Sequence, residues 1–126
     1  MPALEPIRGL RAVASPGALD AARWIGEVTI LRLAPDEALG IDATGVILDD
    51  ADAIVEPETG FSAAVLDPAE TLAVTDHIEW SLPTEAGGLG QGKVAGVPTR
   101  ILMSAVPVLV VQTVYADELE RRLGWR

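Results

Sequence analysis

The chain contains no cysteine and a single histidine. These two shortages exclude a disulfide framework, a thiolate metal centre, an iron–sulfur cluster, a cysteine nucleophile and any site built from several imidazoles. Aromatic residues are also few, with three Trp, one Tyr and one Phe in 126 residues. Basic residues number nine against nineteen acids, giving a net charge of −10. A basic footprint for nucleic acid or an anionic membrane surface is therefore missing. Long apolar runs are missing too. The longest, Val106 to Val111, is interrupted by Pro107 and has strand length, whereas a membrane span needs roughly 20 residues. At the start, Glu5, Pro6, Arg8 and Arg11 break the pattern of a signal peptide. A soluble, cytoplasmic protein is expected.

What is present suits a globular chain. Hydrophobic residues make up 49% and charged residues 22%, close to the average of folded domains and far from disordered composition. The length allows a real core. The expected organisation is an N-terminal arm, or a short edge element, over residues 1–14 followed by one α+β domain over 15–126.

Charge is unevenly distributed. Residues 33–92 hold thirteen of the nineteen acids and none of the bases. Such a block is a solvated face that maintains solubility, a surface steered toward a basic partner protein, or a weak divalent-cation site. Asp49, Asp50 and Asp52 form its densest cluster but lack the D-x-D-x-D-G-x5-E frame of a calcium loop. They are the candidate partner-binding acids, together with Trp125, which lies beyond a predicted helix stop. That tryptophan either tucks back on the domain or faces a partner. No metal site is expected.

Turn and periodicity signals give the order of elements. Ser15-Pro16 reads as an N-cap with proline at the first helical position, opening a short helix that ends near Gly26. Residues 27–41 read as a β-hairpin turning at Pro35-Asp36. Short extended runs follow at 46–48 and 53–56, then a turn at 57–60. Phe61 to Leu66 reads as a buried strand. Asp67-Pro68 with Glu70 predicts a capping box and a helix over 68–78. Residues 82–92 carry Pro83 and glycines at 87, 88, 90 and 92, which predicts a loop. Strand-like runs at 92–96, 99–104 and 107–114 precede a helix over 116–123, stopped by Gly124. Its acids lie in the first turn and its arginines in the last, complementing the helix dipole. The pattern is α+β, an antiparallel sheet with two or three helices packed on it.

Candidate chemistry is sparse. The stretch 87–92 is neither G-x-G-x-x-G nor a P-loop, and it precedes a strand rather than a helix. Asp76-His77-Ile78-Glu79-Trp80 is the densest polar cluster. His77 with Asp76 or Glu79 has the makings of an acid–base pair. Against this, Ser81 lacks a nucleophile-elbow context, and a lone histidine at a helix end more often serves as a cap. Trp80 reads as a packing residue more readily than a stacking platform. No catalytic residue is assigned.

Three segments carry a family resemblance: GLGQGKVAGVPTRI (88–101), VLVV (108–111) and YADELERRLG (115–124). They resemble part of the folate-binding fold shared by the glycine-cleavage T-protein and the sarcosine oxidase gamma subunit. The strand, L-A-P-D-E turn and return at 31–41 resembles a piece of the gamma subunit. The resemblance implies an accessory subunit of a flavin-dependent amine oxidase, itself free of cofactor and non-catalytic, using its acidic surface to bind a partner protein. The alternative it implies is a folate-type small-molecule binder or one-carbon transfer protein. His77, Trp80 and Gln91, the last from the 85–92 loop, would then contact the ligand. None of the T-protein's catalytic or folate residues matches a position here. Self-association through strand edges is a third reading.

Overall fold

The computed structural model describes residues 3–125. Met1 and Pro2 of the expected arm, and Arg126 at the end of the expected domain, lie outside the described residues. In chain order the strands are β1 (Glu5–Pro6), β2 (Gly9–Val13), β3 (Arg23–Ile25), β4 (Thr29–Ala34), β5 (Glu37–Ile41), β6 (Gly45–Ile47), β7 (Ile54–Glu58), β8 (Phe61–Val65), β9 (Leu89–Val94), β10 (Val97–Leu102) and β11 (Val108–Gln112). The helices are α1 (Pro16–Asp20), α2 (Pro68–Thr75) and α3 (Ala116–Arg122), the last preceded by a 3-10 turn over Thr113–Tyr115. Every strand pairing is antiparallel. The fold is α+β, as the element order predicts.

The contacts divide the chain into two compact units, Ile7–Thr59 and a unit formed by residues 3–6 with 60–125. In the Ile7–Thr59 unit a four-stranded sheet runs β4-β5-β2-β7, with β3 and β6 paired beside it. Gly9–Val13 falls within the stretch read from the sequence as an arm, yet it forms an interior strand. Ala12 is fully buried there, and Arg11 on the same strand is neutralised across the sheet by Glu37. The hairpin at 29–41 turns at Pro35-Asp36. A bulge at Leu33, where Arg32 pairs with Ala38 and Ala34 with Glu37, accommodates a turn whose proline cannot take the positive φ of the usual hairpin types.

Helix α1 is shorter than the sequence predicts. Ser15 caps it, its Oγ accepting from Ala18 N at 3.3 Å, but it ends at Asp20. Trp24 belongs instead to β3, opposite Val46. Likewise Pro57 and Glu58 extend β7 rather than starting a turn. Proline is tolerated because β7 is an edge strand.

In the second unit the sheet order is β1-β8-β11-β10-β9. Its core includes Ala64, Leu66, Val74, Val94, Ile101, Leu109, Val111 and Leu119. Each such large apolar side chain contributes about 1.5–3 kcal/mol by leaving water. Helix α2 opens with the predicted capping box: Glu70 N donates to Asp67 Oδ1 at 2.7 Å and Asp67 N to Glu70 Oε1 at 2.8 Å. Helix α3 closes with a Schellman motif. Gly124, at φ +74°, donates to Arg121 O, and Trp125 N donates to Glu120 O at 2.8 Å. Trp125 is thereby turned back, half-buried, against the core.

Candidate functional site

The residues after α2 and the strand β9 build one cleft of about 590 Å³, lined by Asp76, His77, Glu79, Trp80, Lys93 and Gly96 among others. Strand β9 starts inside the stretch expected to be a loop, and Trp80 supplies the reason. A β-carbon built on Gly90 would lie 2.7 Å from the indole ring, and one on Gly92 would lie 2.4 Å from Nε1. Pro83 takes the space beside Gly88 and Gly90 in the same way. The glycines are gaps that admit a ring, and they sit in regular strand pairing with β10. Trp80 Nε1 donates to Lys93 O at 2.9 Å, so the indole is held at both its edge and its face.

His77 contributes through its backbone. Its N–H donates to Val74 O at 2.9 Å, closing the end of α2, and its carbonyl accepts from Ala95 N at 2.9 Å. Ala95 and Gly96 form the two-residue turn between β9 and β10, both at positive φ (49° and 82°), as a type I′ hairpin requires. Arg122 grips the same turn, its Nη1 donating to Ala95 O at 2.7 Å. The imidazole is exposed, and among the described residues it has no hydrogen-bonding or charged partner. The acid–base pair with Asp76 or Glu79 is not formed.

Gln91 is separated from this pair. Strand alternation turns it to the opposite side of β9 from the Trp80 face, where a neighbouring groove of about 340 Å³ is lined by Gln91, Lys93, Pro98, Arg100, Gln112 and Tyr115, with others. Its Oε1 accepts from Arg100 Nε at 3.1 Å. Lys93 lines both clefts. Lys93 and Arg100 are not among the site residues that the sequence singles out. The available signal was their isolation, since no other basic residue lies between Arg32 and Arg121.

The acidic cluster falls between β6 and β7. Asp50 is an organising residue: its Oδ2 accepts from Ser15 N at 2.8 Å and its Oδ1 from Asp52 N at 2.9 Å. The Ser15 N–H, and after it the Asp52 N–H, hold the Asp50 carboxyl below its ordinary value. Asp49 and Asp52 are exposed. Beyond them, β7 leaves Ile54 53% and Val55 42% exposed, two residues not foreseen as a surface. On α3, Glu118 is held below its ordinary value by its bond to Arg122, with Arg121 a lesser contributor.

Among the described residues no group of three or more His, Asp or Glu side chains is placed to hold a metal ion, and no helix is long and apolar enough to cross a membrane. No protein-family model matches the chain, and no curated protein matches it.

Proposed function

We propose that this chain is a non-catalytic accessory subunit that binds a basic surface of a partner protein through the β7 edge of its Ile7–Thr59 unit. The supporting observation is the composition of that edge. Strand β7 lies at the end of its sheet, exposes Ile54 and Val55, itself carries Glu56 and Glu58, and follows Asp49 and Asp52 in a stretch with no base from residue 33 to 92. An open strand edge offers backbone groups and apolar surface to an added strand. The carboxylates speed the encounter and reject acidic competitors.

Charge favours a different protein over a second copy. Two β7 strands paired antiparallel would bring two sets of carboxylates together, and like charges placed opposite each other are destabilising. The resemblance of segments within 88–124 to the gamma subunit of sarcosine-type oxidases suggests the class of partner, a cytoplasmic flavin-dependent oxidase subunit. Quantitative pull-down from native cells tests this. The wild-type chain should recover a basic-surfaced partner that an Ile54→Lys/Val55→Lys variant does not. Equal recovery by both, or recovery of the chain alone, counts against the proposal.

A second reading attaches to the cleft beside Trp80, where the exposed His77 imidazole and the indole border about 590 Å³. This is the folate-type or one-carbon-carrying alternative. Titration with tetrahydrofolate, followed by tryptophan fluorescence, decides it. No change at millimolar ligand removes it.

A further inference from the structure

Acids outnumber bases about two to one in this chain, so a base without a carboxylate partner stands out. Arg11 pairs with Glu37, Arg32 with Asp20, and Arg121 and Arg122 both with Glu118. Arg8, Arg23, Lys93 and Arg100 have no ion-pair partner among the described residues. Of these, Lys93 and Arg100 line the same groove.

Strand register places them together. Lys93 is opposite Pro98, and Arg100 is opposite Gln91. Lys93 and Arg100 are thus diagonal neighbours on one sheet face, about 7–8 Å apart at the backbone and within reach of a shared ligand. Arg100 is half-buried and oriented from two sides. Its Nε donates to Gln91 Oε1, and its guanidinium lies over the Phe61 ring, 5.5 Å from the centroid. These contacts leave the two terminal Nη groups, the fork that reads an oxyanion bidentately. Gln112 and Tyr115 close the far side with an amide and a phenol, and no carboxylate lines the groove. Its volume of about 340 Å³ is at the small end for organic ligands.

We propose that this groove binds a small molecule carrying two oxyanion groups, one on the Arg100 fork and the other on the Lys93 ammonium. The ligand's oxyanions are carboxylates or phosphates. All its residues belong to the second unit, whereas β7 belongs to the Ile7–Thr59 unit.

The experiment is an amide NMR titration of the intact chain with succinate in one arm and pyrophosphate in the other, and neutral succinamide as control. Saturable shifts confined to residues 91–100 and 112–115 are expected in at least one arm and absent with succinamide. The tighter arm identifies the oxyanion. Lys93→Gln, an exposed change that spares the core, should weaken binding about tenfold or more. Arg100→Lys, which keeps the charge and loses the fork, should also weaken it. The proposal is overturned if neither succinate nor pyrophosphate produces these shifts, if the shifts map elsewhere, or if both variants bind as the wild type does.

Discussion

The indole of Trp80 occupies the space where a side chain on Gly92 would begin, with Nε1 only 2.4 Å from the position of that missing β-carbon. A tryptophan and a strand glycine thus form one packing unit, and the segment after α2 is fastened to β9 by it. Trp24 and Gly40 repeat the arrangement in the other unit, where the ring would lie 2.4 Å from an added β-carbon.

Gly92→Ala therefore forces the indole or the strand to move. Overpacking of this kind costs about 1–3 kcal/mol. Urea denaturation should show that loss, and tryptophan emission should shift to the red as the ring gains water. Gly17→Ala is the matched control. Nothing lies within 4 Å of its added carbon, so the helix should be unchanged or gain up to about 1 kcal/mol.

Trp80→Phe keeps a ring over the glycines and removes the Nε1–H donor to Lys93 O. The expected loss is about 0.5–1.5 kcal/mol, smaller than for Gly92→Ala. A chain as stable as wild type in urea would mean that the hydrogen bond contributes nothing.

Asp50 links the β6–β7 loop to the start of α1, and its carboxyl is held low by the Ser15 and Asp52 N–H groups. A lowered pKa in the folded chain gives stability that is complete above the ordinary carboxylate range, near pH 4, and is lost as pH falls through the lowered value. Asp50→Asn should reduce stability at pH 7 and flatten the acid limb of the stability profile in proportion. An unchanged acid limb would place the pH dependence elsewhere.

Arg122→Ala removes a donor to the Ala95 carbonyl and the stronger of two partners of Glu118. The β9–β10 turn should lose protection against amide hydrogen exchange at Ala95, which donates to the His77 carbonyl, and at Val97, while the centre of α3 keeps it. Protection retained at the turn would show that the His77 carbonyl alone holds it.

Much of the fold is legible in the sequence because its signals are local. The Ser15 and Asp67 caps, the Pro35 turn and the Gly124 stop each involve residues within about five positions of one another. The misread parts depend on distant partners. Gly90 and Gly92 resemble a loop until Trp80 is placed over them. Gly9–Val13 resembles an arm until Glu37 is set beside Arg11. Trp24 resembles a helical residue until β3 finds β6. For the site, His77 and Trp80 are neighbours in sequence and share a cleft, while Gln91 is parted from them by strand alternation. Arg100 and Lys93 come together only through the register of a hairpin.

Site-specific photo-crosslinking from position 55 of the full chain, in native cells, tests the binding role most directly. The account predicts crosslinks to a single partner through a basic segment, lost when Ile54 and Glu56 are both changed to Lys. Crosslinks that persist in that variant, or that form only between copies of this chain, would contradict it.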